Sequence, residues 1–215
     1  MYYSQYKQDI ILNEKYFNNK KNGVFLDIGA HDGITLSNTY FFEKELAWSG
    51  ICFEPLPSVF SELKKNRNSI CINSCVWKES GKKKFRIIEG YSEMLSGIVE
   101  SYDSRHSDRI NNECIMFNSS YKDIDVDCVI LNEVLENNNI VNVDLMSIDT
   151  EGSELEIIKS INLDKIKINY ILVEDNYNNP DLHGYLLSKN YSLVEVISID
   201  KLYKLNYRSE EHTSE

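Results

Sequence analysis

The sequence predicts an α/β fold, a mostly parallel sheet covered by helices on both faces. Two features carry that expectation. Apolar runs of strand length alternate with segments of helical period along almost the whole chain, the order that sets parallel strands side by side through helical crossovers. The last two runs are separated by only two residues, which makes the final pair an antiparallel hairpin. At 215 residues the chain is long enough for one large core, and no internal repeat or low-complexity linker divides it. One domain over residues 1–207 is therefore expected.

The elements follow in order. Ser4 stands as N-cap to a helix over 5–17, where Ile10, Ile11, Leu12, Tyr16 and Phe17 form an apolar stripe. Residues 24–29 read as a strand running into a glycine turn and a helix over 37–46. A second strand over 50–54 precedes a helix that Pro57 starts and that runs through Lys65, because proline suits the first helical turn. A third strand is expected over 69–77 and an extra one over 82–88. Residues 89–123 are polar with weak periodicity and read as an excursion covering the acceptor side of the site, with Tyr91, Tyr102, Arg105 and Arg109 over the acceptor. Strand 126–130, helix 131–135, strand 143–149, helix 152–161, strand 168–174 and helix 181–189 repeat the cycle. Strands 191–199 and 202–205 close it around a turn at Asp200-Lys201.

Composition excludes several classes of function. With 23 basic and 34 acidic residues the net charge is −11, which opposes a phosphate backbone unless basic residues gather on one face. The densest basic run, Lys82 to Lys84 with Arg86, sits beside Glu79 and Glu89 and reads as a solvated strand edge. No nucleic-acid partner is expected. No apolar run approaches the roughly 20 residues that span a bilayer, and the residues from Met1 to Asp9 are too polar for a signal peptide, so no membrane partner and a cytoplasmic location are expected. Cys52, Cys71, Cys75, Cys114 and Cys128 lack paired metal-binding spacing and are expected to be reduced, mostly as small buried hydrophobes. The polar segment 208–215 resembles the translation of a sequencing adapter and is set aside as a non-native tail.

Four acidic clusters at strand ends carry the chemistry. In Asp27-Ile-Gly-Ala-His-Asp-Gly33 an acid at the strand end leads into a turn whose Gly29 and Gly33 permit positive φ and close backbone approach to a nucleotide-like ligand. The G-x-G-x-x-G spacing of a pyrophosphate site is missing, and Asp27 and Asp32 would repel a diphosphate. They suit the cationic sulfonium and ammonium of S-adenosylmethionine. Glu54-Pro55 ends the next strand, where a carboxylate accepts from both hydroxyls of a ribose. In Asp149-Thr-Glu-Gly-Ser-Glu154, Asp149 is the candidate catalytic group with Glu151 beside it. Ser153 is expected to cap the following helix, and Glu154 and Glu156 to complement its dipole. Glu174-Asp-Asn176 ends another strand, and Asp149, Asp175 and Asn176 together offer the hard oxygens that Mg²⁺ accepts.

These blocks resemble the FkbM-type methyltransferases. The resemblance rests on Ser4-Gln5 and Gln8-Asp9, Phe25 to Gly33, Leu36-Ser-Asn-Thr39, Trp48-Ser-Gly50 and Phe53-Glu-Pro55. It continues through Leu95-Ser-Gly97, Ser147 to Glu154, and Val173-Glu174 with Asn176. It implies a Rossmann-like class I methyltransferase fold with a seven-stranded sheet, and S-adenosylmethionine-dependent O-methylation of a hydroxyl on a small molecule, sugar or glycan. By position it makes Asp27, Gly29, Ala30, His31, Asp32, Gly33, Glu54 and Pro55 the cofactor site, with Asn38 nearby and Asn73 as an adenine contact. It sets Asp149 nearest the methyl group. Asp175 stands where that group often has histidine. An aliphatic alcohol needs a base as charge moves, a role open to Asp149 or to a metal-bound route. His31 is expected to shape its turn, and His106 and His183 to lie on the surface. Two rival readings are a non-catalytic S-adenosylmethionine-binding module and a nicotinamide-dependent oxidoreductase, the second opposed by the missing phosphate-binding glycines.

Overall fold

Strand β1 (Val24–Ile28) divides its side chains between two cores, because alternate residues of a strand point to opposite faces. Leu26 and Ile28 enter one buried cluster and Phe25 the other. Around β1 the computed structural model, which describes residues 1–206, builds a seven-stranded sheet. On one side lie β2 (Ser49–Phe53) and the edge strand β3 (Ile70–Ile72). On the other side come β8 (Asn142–Ile148), β9 (Lys167–Glu174), β11 (Asp200–Leu205) and β10 (Tyr191–Ile197). All neighbours are parallel except β11, which runs antiparallel to both β9 and β10. The sheet, its parallel body and its terminal hairpin are those expected. The hairpin turn sits two residues earlier than expected, at Ser198-Ile199, and Ser198 takes the positive φ of 58° that the tight connection requires.

Helices cover both faces. Cluster residues Leu131 and Leu135 of α5 (Leu131–Asn137), Ile157 and Ile158 of α6 (Glu154–Ser160), and Leu182 and Leu186 of α7 (Pro180–Ser188) fill one. The other is packed by Leu12 and Phe17, by Phe41, Phe42 and Leu46 of α2 (Tyr40–Leu46), and by Leu63 of α3 (Pro57–Asn66). The first helix departs from expectation. It is one short α-helical turn, α1 (Gln8–Ile11), that widens into a π-helix over Leu12–Phe17, and Ser4 does not cap it. The Ser4 hydroxyl donates instead to the buried Asp9 carboxylate at 2.6 Å, which also accepts from the Tyr3 N–H at 2.6 Å.

Residues 69–77 form two strands rather than one. After β3 the chain leaves the main sheet, and β4 (Cys75–Val76) joins a second sheet of order β4-β7-β5-β6 with β7 (Tyr121–Val129), β5 (Gly81–Ile88) and β6 (Gly97–Ile98). The basic run pairs across this sheet. Lys82, Lys84 and Arg86 stand opposite Asp127, Asp125 and Asp123 and form ion pairs with them at 3.1, 2.9 and 2.8 Å, opposite charges on facing residues that favour the β5–β7 register. The excursion 89–123 contains the longest helix among the described residues, α4 (Ser104–Phe117), capped by Asp103, whose carboxylate accepts from the His106 N–H.

The five cysteines are free thiols, three of them buried. No helix is long and apolar enough to cross a membrane among the described residues. The segment set aside as a tail, 208–215, lies outside those residues.

Candidate active site

Three strand ends meet at the turn after β1. The Gly29 and Ala30 N–H groups donate to the Phe53 carbonyl at the end of β2, at 3.1 and 2.9 Å, and the Asp149 N–H donates to the Ile28 carbonyl at 3.0 Å. Gly29 is required here. Its φ is +88°, and a Cβ built on it would lie 1.9 Å from the Asp149 carbonyl oxygen.

A groove opens along these ends, enclosing about 700 Å³ including its mouth, within the size range of small-molecule sites. Gly29, His31, Glu54 and Pro55 line it on one side, Asp149, Thr150 and Glu151 on the other. Phe85, Met94 and Ile98 of the second sheet and its loop add apolar cover. Burial pushes the Glu54 carboxyl up to about 7, against the pull of its two hydrogen bonds from the backbone N–H of Leu56 at 2.8 Å and of His31 at 3.1 Å. His31 takes positive φ, and its Nδ1 is buried without a hydrogen-bond partner.

The other residues expected to hold the cofactor sit around this groove in different roles. Asp27 faces away from the lining, toward α2 and α3. Its carboxylate accepts from Thr39 Oγ1 at 2.5 Å and pairs with Arg67 at 3.5 Å. Arg67, a residue the sequence reading passed over, is buried at the end of α3. It also donates to Glu43 at 2.7 Å, Thr39 Oγ1 at 2.9 Å and the Gly33 carbonyl at 3.0 Å, so one guanidinium ties the turn to both helices. Arg67→Ala leaves Asp27 and Glu43 buried without their cation and is expected to lower unfolding stability by about 3–5 kcal/mol, read by urea denaturation. Asp32 folds onto its own turn, accepting from the Ile34 and Thr35 N–H groups at 2.8 and 2.7 Å. Gly33 packs against Leu63 and Arg67. Asn38 donates to Ser147 Oγ at 3.1 Å, with its own Oδ1 unpartnered. Asn73 braces the carbonyls of Glu54 and Pro55, at 2.8 and 3.0 Å, while its successors Ser74 and Cys75 line the groove.

A second cavity, enclosing about 600 Å³ with its opening, lies on the far side of Glu151. It is lined by Asp103, Arg105, His106, Glu174, Asn176 and Tyr177 among others. Glu151 lines both spaces. It sits on a turn with φ of +55°, followed by Gly152 at +117°, and one of its carboxyl oxygens is buried with no hydrogen-bond partner. Carboxyl oxygens of Asp149, Glu151 and Glu174 lie within 4.8 Å of one another. The depth of the site, then the charges of Asp200 and Glu154, push Asp149 up to about 7, and burial followed by Asp149 and Glu151 pushes Glu174 up further.

Three expectations change at this end of the sheet. His106 is not a surface residue, being 1% exposed. Its Nε2 lies 3.3 Å from the Leu95 carbonyl, which only accepts, so Nδ1 is left to accept from the Tyr177 hydroxyl at 3.2 Å. Burial lowers its proton affinity. His183 is half-buried, with Nδ1 3.1 Å from the Tyr203 hydroxyl. Ser153 stands at the N-cap position of α6 without capping it. The Glu154 carboxylate instead ties the preceding turn to the start of the helix, accepting from the N–H of Thr150 at 3.1 Å and of Gly152 at 3.0 Å.

The Mg²⁺ set does not assemble as expected. Both Asp175 oxygens are engaged, by Lys201 Nζ at 2.6 Å and by the Asn179 N–H at 2.8 Å, and the carboxyls gathered with Asp149 are Glu151 and Glu174. The set Asp149, Asp175 and Asn176 therefore does not fit a metal.

The sheet order, the glycine turn and the groove over the strand ends define a Rossmann-like methyltransferase fold. The model of the methyltransferase FkbM domain matches residues 27–208, and the chain belongs to that family. Among solved structures, methyltransferase FkbM from Methylobacillus flagellatus KT superposes with a TM-score of 0.52 at 12% identity, over 86% of this chain and 44% of that one. The chain thus spans less than half the length of that structure. M. capricolum TrmK, solved with its natural cofactor product S-adenosylhomocysteine, gives a TM-score of 0.49 at 11% identity, over 97% of this chain and 74% of that one. A search of curated proteins found no match.

Proposed function

We propose that the chain is an S-adenosylmethionine-dependent O-methyltransferase acting on a hydroxyl of a sugar, glycan or other small molecule. The observation that carries this reading is Glu151, which lines both the donor-sized groove and the cavity beyond it, so the Asp149–Glu151 turn is where two ligands would meet. In the groove, S-adenosylmethionine would supply the electrophilic methyl group. Glu54 would grip the ribose, the turn from Gly29 would pass close beneath the ligand, and Phe85, Met94 and Ile98 would exclude water. His31 Nδ1 and Glu151 Oε2, both orphaned, are polar atoms that a ligand would satisfy. Asp149 takes the proton of the acceptor hydroxyl as the oxygen attacks in line, and Glu151 orients the acceptor. Much of the rate gain then comes from holding donor and acceptor in near-attack geometry.

The cavity supports a small polar acceptor over a nucleic acid. Its lining includes five carboxylic side chains, Asp103, Glu151, Glu154, Glu174 and Asp175, against a single arginine, a surface that repels phosphate. Release of S-adenosylhomocysteine over a panel of hydroxylated acceptors, with a product mass shift of one CH₂, tests the reading. Cofactor binding with no turnover on any acceptor would favour a binding module. Glu54→Ala removes a charge-assisted contact and is expected to weaken S-adenosylhomocysteine binding about 10–100-fold, as read by calorimetry.

A further inference from the structure

The charge balance of the second cavity points to one chemical class of acceptor. Each basic side chain around it is already committed. Arg105 pairs with Asp103 at 2.6 Å, Arg109 with Glu113 at 2.9 Å and Lys201 with Asp175 at 2.6 Å. His106 lies 3.6 Å from Glu151, but its burial favours the neutral ring. Among the described residues, no lysine or arginine lies within ion-pair distance of Asp149, Glu151 or Glu174, and Glu151, only 9% exposed, holds one oxygen without any hydrogen-bond partner. Three carboxyls this close do not all ionise unless a cation joins them.

We propose that the methyl acceptor is an amino alcohol, an amino sugar being one example, whose protonated amine is held by Glu151 and Glu174 while its hydroxyl faces Asp149. An ammonium carries three N–H donors, and charge-assisted bonds of about 2.8 Å in tetrahedral directions set their acceptors about 4.6 Å apart. The carboxyl oxygens here lie within 4.8 Å of one another. The division between ligands follows from the lining: Asp149 faces only the donor groove, Glu174 only the cavity, and Glu151 both. Glu174 is thus left to the acceptor, and Asp149 stands where the acceptor's hydroxyl would meet the donor. Asn176, Tyr177 and Ser101 in the same wall offer amide and hydroxyl groups to the remaining hydroxyls of such a molecule.

This inference rests on the methyltransferase reading, and the test separates the two. Wild type, Glu174→Gln and Glu151→Gln are first titrated with S-adenosylhomocysteine. Failure of wild type to bind it overturns the methyltransferase reading itself, and retained binding by the variants shows that they are folded. In the presence of saturating S-adenosylhomocysteine, glucosamine, N-acetylglucosamine and glucose are then compared by calorimetry, and Mn²⁺ is titrated separately. The expected result is glucosamine binding at least about tenfold tighter than either neutral sugar, with the preference falling below about threefold in Glu174→Gln and in Glu151→Gln. S-Adenosylhomocysteine binding with no glucosamine preference overturns the proposal, as does a preference that survives both substitutions. Tight Mn²⁺ binding that Glu174→Gln abolishes would assign the carboxyls to a metal and overturn it as well.

Discussion

Asp149→Asn is expected to lower kcat by at least about 10²-fold while leaving affinity for S-adenosylhomocysteine within about threefold. The asparagine keeps the shape of the turn and the backbone bond from residue 149 to the Ile28 carbonyl, but it cannot take a proton. The same residue sets the pH dependence. Asp149 is pushed up to about 7 by its depth in the site and by the carboxyls around it, so kcat should rise with pH, with a midpoint near 7, and level off above. That midpoint belongs to Asp149 together with Glu174, whose carboxyl lies beside it. The stability effect has the opposite sense. A carboxyl whose folded pKa lies above its unfolded value of about 3.9 binds more protons in the native state, so its ionisation lowers stability as pH rises from about 4 to about 7. Asp149→Asn should therefore unfold at a higher temperature than wild type at pH 8 and lose that advantage near pH 4. A variant that keeps wild-type kcat, or a rate independent of pH between 5.5 and 8.5, would remove Asp149 from the chemistry.

The second large effect is steric. Gly29→Ala forces a Cβ to within 1.9 Å of the Asp149 carbonyl oxygen, which is backbone and has no side-chain freedom to yield, at a φ of +88°. The turn must then separate from the end of β8, breaking the hydrogen bond from the Asp149 N–H to the Ile28 carbonyl that joins the two. The expected cost exceeds about 4 kcal/mol, a large share of an ordinary domain's stability, with no measurable S-adenosylhomocysteine binding. Gly184→Ala is the matched control. Its added Cβ meets nothing within 4 Å, and it lies inside α7, where alanine is favoured over glycine by about 0.5–1 kcal/mol. Urea denaturation should show the two changes with opposite signs.

The main sheet was legible because its strands are buried on both faces and appear as continuous apolar runs between glycine and proline punctuation. The second sheet was legible only as separate strands, 82–88 and 126–130, and not as a sheet. In β5 and β7 the cross-strand partners are charged pairs such as Lys84 with Asp125, so period-2 hydrophobicity is faint and pairing is set by residues about forty positions apart. Helix α4 was missed for a related reason: only His106 and Ile110 are buried on it, too few to mark an apolar stripe. Asp27, Glu54 and Asp149 stand out in the sequence as acids at strand ends beside glycines, yet where each carboxylate points depends on which face its side chain takes. Asp27 turns toward Arg67, and nothing local to either residue announces a partner forty positions away. His106 could have been suspected only from its place one turn inside a helix opened by an Asp103 cap. Its burial is a tertiary fact.

Calorimetric titration of the purified protein with S-adenosylhomocysteine and with NAD most directly tests the claim that the strand-end groove holds an adenosyl donor. The account predicts one S-adenosylhomocysteine bound per chain at micromolar affinity, weakened at least about tenfold by Glu54→Ala, and no heat from NAD. Saturable NAD binding with none for S-adenosylhomocysteine would contradict it.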